Sequence, residues 1–350
     1  MVTTTLPAAD WTGRADLAAL VGALGAGNAR YVGGAVRDTI LGIPVKDVDI
    51  ATPLEPRMVM QRLHDAGIQA VPTGIEHGTI TAVLPHGPVE ITTLRHDVST
   101  DGRRATVAFA SDWQDDAARR DFTINALYAA PDSGEIFDWF GGLDDLAARR
   151  VRFIGDPHQR IREDHLRILR YFRFQARFGS VPADAASEGA CAELAATLKG
   201  LSRERVGMEM MNLLSLADPA PTVSRMAELG VLDVVLPEAN VDALVALVAE
   251  ERRQQIAPDG LRRLAALIPA EVQLAEAVAS RFRLSGAQKK RLAMAAARDG
   301  SEVEARPLAY RLGRDAALDR LLMIGADVAA LVGWAIPHFP LKGGEIVARG

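Results

Sequence analysis

The sequence predicts an α+β protein, a mixed β-sheet head followed by an all-α remainder, and three observations predict it. Short strand-like runs alternate with helical runs through the first 150 residues, separated by Gly and Pro. After about residue 155 nearly every segment is rich in Ala, Leu, Arg and Glu at helical spacing. Aromatic residues make up only 5% of the chain, so the helices must pack with Leu, Val and Ala. A length of 350 residues allows two or three domains at roughly 150 residues each.

The elements follow in chain order. Residues 14–28 spell a short helix ending in a Gly-rich stretch, and ARYVGG reads as a strand. AVRDTILG is helical with Gly42 as its stop, and VKDVDIAT alternates as a strand does. LEPRMVMQRLHDAG is a helix closed by Gly67, and IQAVPTG, GTITAVLP and PVEITTLR are three strands. In the helical half, breaks are expected at Gly179–Pro182, Asp218–Pro221, Pro237, Pro258–Gly260, Pro269, Gly286 and Gly300.

Composition excludes several classes. Apolar residues at 49% and charged residues at 24% are those of an ordinary folded protein, neither disordered nor collagen-like. No run of 18 uncharged apolar residues exists, so no transmembrane helix and no membrane partner is expected. The N-terminal residues lack the pattern of a signal peptide, and the single cysteine, Cys191, excludes an internal disulfide and a Cys-based zinc site. A cytoplasmic location is the expectation. The net charge of -5 does not mark a nucleic-acid binder, yet the arginines are clustered. Arg160, Arg162, Arg167, Arg170, Arg173 and Arg177 fall within one short stretch, and pairs occur at Arg103–Arg104, Arg119–Arg120 and Arg149–Arg150.

Two constellations carry chemistry by their own pattern. In YVGGAVRDTILGIPVKDVDIAT, Asp47 and Asp49 are two apart in a strand pattern, which places both carboxylates on one face. Such a pair can hold Mg²⁺ against a nucleoside triphosphate, although a solvated D-x-D is common. Gly33 and Gly34, between strand and helix, let backbone N–H groups approach a phosphate, and Arg37 is one turn into that helix. In REDHLRILRYFRFQARFG, a continuous helix puts Asp164 and Arg167 three apart on one face, with Tyr171, Phe174 and Phe178 among the charges. A carboxylate accepts from the exocyclic amine of cytosine or adenine while a guanidinium donates to the adjacent ring acceptor, so this pair selects C and A over U and G. An ordinary Asp–Arg salt bridge on a solvated helix is the competing description.

GGAVRD followed by DVD resembles the nucleotidyltransferase motif of the DNA polymerase β superfamily, and most resembles its class II branch of CCA-adding tRNA nucleotidyltransferases and bacterial poly(A) polymerases. The resemblance implies a head, neck, body and tail, and metal binding by Asp47 and Asp49. It matches Gly34 and Arg37, with Gly33 beside them, to the nucleotide-contacting positions. Glu90 in PVEITTLR matches a third carboxylate assisting the primer hydroxyl or a second metal, with an ordinary edge-strand Glu as the alternative. RRDFTINAL is similar to a family motif in which Arg120 contacts the incoming nucleotide; Asp121 and Asn125, four apart, can cap and hold a helix start by their own spacing. The polar loop around Gly102 matches one that moves when specificity switches from C to A. E-D-x-x-R resembles the nucleotide-recognition motif, which carries over Asp164, Arg167, Arg170 and Arg173.

The domains expected are a nucleotidyltransferase head at 1–150, a helical neck with the recognition motif at 151–215, and a tRNA-binding body and tail at 216–350. The implied reaction is template-independent addition of C, C and A to a tRNA 3′ end from CTP and ATP with Mg²⁺. Poly(A) synthesis, partial CC- or A-addition, and a catalytically silent RNA-binding scaffold are the rivals. An HD phosphohydrolase domain is not expected, since His338 is the one histidine beyond residue 180. The closing FPLKGGEIVARG is similar to a tail element after which the family usually continues with another helix.

Overall fold

The computed structural model describes residues 5–25, 27–101, 104–109, 112–300 and 304–337, with backbone alone at His77, 96–101 and 104–109. The loop at Gly102, Arg103, His338 and the closing FPLKGGEIVARG lie outside the described residues. By its contacts the chain divides into two units, Met1–Leu194 and Ala195–Gly350. That division follows packing and is distinct from the boundaries at 150 and 215, which separate expected roles.

The first unit is built on a sheet. Helix α1 (Ala15–Leu24) buries Leu17, Leu20 and Leu24, the 3-4 spacing of an amphipathic face. Strand β1 (Arg30–Val32) leads into α2 (Gly34–Ile40), and β2 (Asp49–Thr52) into α3 (Pro56–Asp65), which starts on a proline and buries Val59 and Leu63. Strands β3 (Ala70–Gly74), β4 (Thr79–Leu84) and β5 (Gly87–Thr93) follow as expected. β6 (Arg95–Asp101) and β7 (Arg104–Phe109) form a separate two-stranded ladder. Next come α4 (Trp113–Ala118), a 3₁₀ turn at Thr123–Asn125, β8 (Tyr128–Ala129), β9 (Ile136–Phe137) and α5 (Gly142–Ala147). Three helices close the unit: α6 (Pro157–Glu163), α7 (Arg167–Phe178) and α8 (Ala185–Glu193).

The seven-stranded sheet runs β3-β4-β5-β2-β1-β8-β9, with β2–β5 parallel and its other pairs antiparallel, so it is mixed. Register sorts its two faces. Ile80, Ile91, Ile50 and Tyr31 pair across one row and are buried. The next row holds Thr81, Glu90, Asp49, Val32, Tyr128 and Phe137, and alternation turns it to the opposite face. That row holds Asp49 and Glu90, two of the candidate site residues. Its β1–β8 side is covered by a cluster of Val32, Ala51, Leu94, Ala117, Ala126, Tyr128 and Ile154.

The second unit is all helix: α9 (Arg203–Leu214), α10 (Ala220–Glu228), α11 (Val231–Val235), α12 (Val241–Arg253), α13 (Gly260–Leu267), α14 (Val272–Arg281), α15 (Gly286–Ala296), α16 (Ala305–Leu312) and α17 (Arg314–Met323). Helix α13 is buried along its length, including Arg262 at 4% and Arg263 at 1% exposure. Their charges are answered by Glu251 and Asp319, and Arg263 also donates to the carbonyls of Leu214 and Ala217. Gly207 lets α9 approach the backbone at Phe282, since a Cβ there would fall 2.4 Å from the Phe282 carbonyl oxygen. Among the described residues no helix is long and apolar enough to cross a membrane.

Candidate active site

The candidate site lies on the polar face of the sheet. Asp49 opens β2, beside Val32 of β1 and in parallel register with Glu90 of β5. Paired residues of adjacent strands share a face at about 4.8 Å spacing, so two carboxylates from distant sequence stand side by side. Asp47 lies two residues earlier, but in the loop before the strand and exposed. The expected strand over both aspartates is therefore shorter, and strand alternation does not fix the direction of Asp47. Glu90 is in the third of seven strands, not at an edge.

Burial pushes the Asp49 carboxyl up to about 6, the neighbouring charges of Glu90 and Asp47 add to the rise, and Arg120 opposes it. The cluster is thus short of positive charge. Among the described residues no group of three or more His, Cys, Asp or Glu side chains converges to hold a metal ion. A divalent ion would accordingly take two carboxylates from the protein and its other oxygens from phosphate and water, which suits Mg²⁺ more than an all-protein cage.

Gly33 turns β1 into α2 at φ 68°, ψ -119°, a conformation that L side chains rarely adopt. Its N–H donates to the Leu127 carbonyl, so Gly33 supplies the turn and not a free donor. A Cβ on Gly33 would lie 3.4 Å from Nη1 of Arg120, which places this guanidinium against the turn. Arg120 is anchored by the Tyr128 hydroxyl at 2.9 Å and by Asp116 at 3.3 Å. Tyr128 shares the row of Asp49 through Val32, so Gly33, Arg120 and Asp49 form one cluster.

Other expected contacts are engaged within the protein. Arg37 is 6% exposed, bonded to Asp38 and to Asn125 Oδ1, with its guanidinium 4.2 Å from the Phe178 ring centre. These bonds tie α2 to the RRDFTIN segment and to α7. Arg170 pairs with Asp121 at 2.5 Å. Burial alone would raise the Asp121 carboxyl, but Arg170 and the Asn125 amide bring it down to about 2. Arg173 lies 4.8 Å over the Phe174 ring.

The recognition segment is not one helix. Asp164 is extended, at φ -151° and ψ 104°, between α6 and α7. Its Oδ1 accepts from the Leu166 N–H at 3.1 Å and its carbonyl from the Arg167 N–H at 2.9 Å. The expected placement of Asp164 and Arg167 one turn apart on a helical face is therefore corrected: Asp164 starts the turn that Arg167 continues. Tyr171 and Phe174 are buried against Phe122, with Phe153 beside Tyr171 and Phe178 buried against Phe174, so the three offer no open stacking surface. Arg167 is held by Glu163 at 2.6 Å and by the carbonyls of Arg160 and Arg119. The sequence shows Glu163 as the Glu of E-D-x-x-R but assigns no role to it, to Asp116 or to Tyr128. Glu163 was findable as a Glu four residues before an Arg, whereas nothing local marks Asp116 or Tyr128 as anchors of Arg120.

Residues 29–152 match the family model described as Poly A polymerase head domain, and residues 184–242 the model described as Probable RNA and SrmB-binding site of polymerase A. CCA tRNA nucleotidyltransferase 1, mitochondrial, of Homo sapiens is 48% identical over 188 residues, 53% of this chain and 43% of that protein. Its Danio rerio counterpart is 39% identical over 263 residues, 74% and 61% of the two chains. The chain spans about half the length of the curated relatives it matches. Among solved structures, the Bacillus stearothermophilus CCA-adding enzyme in complex with CTP superposes with a TM-score of 0.69 at 27% identity, covering 92% of this chain and 78% of that one.

Proposed function

We propose that the chain is a member of the class II family of CCA-adding tRNA nucleotidyltransferases and bacterial poly(A) polymerases, and that it adds C, C and A stepwise to the 3′ end of tRNA. The observation that carries the reading is the cluster of Asp49, Glu90 and Arg120 against the Gly33 turn. In the proposed reaction the tRNA 3′-hydroxyl attacks the α-phosphate of CTP or ATP, and pyrophosphate leaves.

Nucleotidyltransferases of this family generally use a divalent metal, here proposed to be Mg²⁺ held by Asp47 and Asp49. When bound, such an ion neutralises phosphate charge and lowers the pKa of the attacking hydroxyl. Glu90, beside Asp49, assists that hydroxyl. Arg120, fixed by Tyr128 and Asp116, meets the triphosphate, and Gly33 and Gly34 keep the approach clear of side chains. Asp164 and Arg167 read the base edge, with Glu163 holding the Arg167 fork. Arg37, Arg170 and Arg173 support this site from within the protein. Nucleotide transfer is assigned to 1–150, base recognition to 151–215 and tRNA-backbone binding to 216–350, with the cytoplasm as the setting.

The test is nucleotide addition to a tRNA transcript lacking its CCA end. Two C residues with CTP alone, and one further A when ATP is supplied too, are the expected products. Long A tails from ATP alone would replace this reading with poly(A) synthesis, and tRNA binding without any addition would replace it with a scaffold.

A further inference from the structure

A cavity of about 590 Å³ opens in the first unit, between α1 and the turn that joins β8 to β9. This volume is in the range that holds a small molecule. Its α1 wall is lined by Ala18 and Gly22, four residues apart and so on one helix face. Gly22 has no conformational reason to be glycine: its φ is not positive, and a Cβ there would meet nothing within 4 Å. Glycine inside a helix costs about 1 kcal/mol relative to alanine, and what it leaves here is room at the cavity.

Arg30, the first residue of β1, also lines the cavity. Its guanidinium lies 3.6 Å from the Phe137 ring centre and 4.2 Å from that of Trp113. Its guanidinium makes no hydrogen bond among the described residues; Nη1 is sealed from solvent, which leaves the Nε–Nη2 edge as the fork a ligand can reach. Stacked rings orient this planar fork and satisfy none of its donors, and such a fork matches a carboxylate. Asp132 and Glu135 line the same cavity and are exposed. Those two would repel a plain anion, as Arg30 would repel a plain cation, whereas a ligand with both charges answers all three.

We propose that this cavity is a binding site for an amino-acid zwitterion with an apolar side chain. The carboxylate meets Arg30, the ammonium meets Asp132 and Glu135, and the side chain rests on Val21 and Pro131. The cavity shares no lining residue with the cluster of Asp49, Glu90, Arg120 and Gly33, and the proposal does not depend on the function proposed above.

The experiment is calorimetric titration of the full chain with three probes: L-phenylalanine, N-acetyl-L-phenylalanine and L-phenylalaninamide. Saturable binding of phenylalanine is expected, weakened about tenfold or more by removal of either charge. Arg30→Lys should weaken it as strongly, because a lysine cannot reproduce the fork. The double variant A18L/G22L, at exposed helix positions, should abolish binding while retaining the parent circular dichroism and melting temperature. D49N should leave phenylalanine binding unchanged, which separates this site from the nucleotide cluster. No saturable binding, equal affinity for the N-acetyl probe, or binding that survives A18L/G22L would overturn the proposal.

Discussion

Replacing Asp121 with asparagine tests whether the arginine-rich helix α7 is held by the protein or serves a ligand. Asp121 is 8% exposed and accepts from Arg170, from the Phe122 N–H and from the Asn125 amide. An asparagine keeps the last two bonds and loses the charge facing Arg170. The carboxyl falls from an ordinary value of 3.8 to about 2 in the fold. At about 1.4 kcal/mol per pKa unit, that is roughly 2 kcal/mol of stability at neutral pH. Because the folded pKa is depressed, this contribution is present above the unfolded pKa and is lost as pH falls through the folded one. The D121N deficit should therefore be about 2 kcal/mol at pH 7 and shrink as pH falls below about 4 toward 2. Trp11, Trp113 and Trp139 lie in the first unit and Trp334 in the second, so urea unfolding followed by fluorescence in a Trp334→Phe background reports the first unit. R170M should cost a similar amount, and the D121N/R170M double variant should show a coupling of about 1–2 kcal/mol. A deficit under 0.5 kcal/mol at pH 7, or one independent of pH, would refute the reasoning. So would an R170M enzyme of parental stability with raised KM for both nucleotides, which would make Arg170 a nucleotide contact.

Gly33→Ala should cost about 1–3 kcal/mol, because the φ and ψ at this turn exclude a Cβ; CTP affinity should fall with it, measured by titration alongside thermal melting. Glu251→Ala leaves Arg262 with Asp319 and Arg263 with backbone carbonyls, and should destabilise the second unit by about 3–5 kcal/mol in denaturant titration. Chelation with EDTA should abolish nucleotide addition and added Mg²⁺ should restore it, while D49N should stay inactive at metal concentrations that saturate the parent. Glu163→Gln should loosen the Arg167 fork and erode the preference for C and A over U and G; unchanged selectivity in a misincorporation assay would count against base reading by Arg167.

The sequence alone determined whatever depends on short range. Gly and Pro punctuation with period-2 alternation located strands β1 to β5, and Ala- and Leu-rich periodicity made the second half helical. The GG turn and the second aspartate of the D-x-D pattern were legible as the junction of β1 with α2 and the start of β2. Tertiary structure alone decided where charged side chains find partners. Glu90 stands beside Asp49 only because β5 runs parallel to β2 in that register, a pairing that spans some forty residues. The resemblance implies that Arg37 and Arg170 serve the nucleotide, and only the fold shows which protein groups they also meet: Asp38 and Asn125 for Arg37, Asp121 for Arg170. The helix through Asp164 breaks although its hydrophobic periodicity is continuous, because the extended Asp164 caps the turn that starts α7 with its own carboxylate and carbonyl. Periodicity records which side of a segment is apolar, and the partner of each charge is set by whatever the fold brings against it.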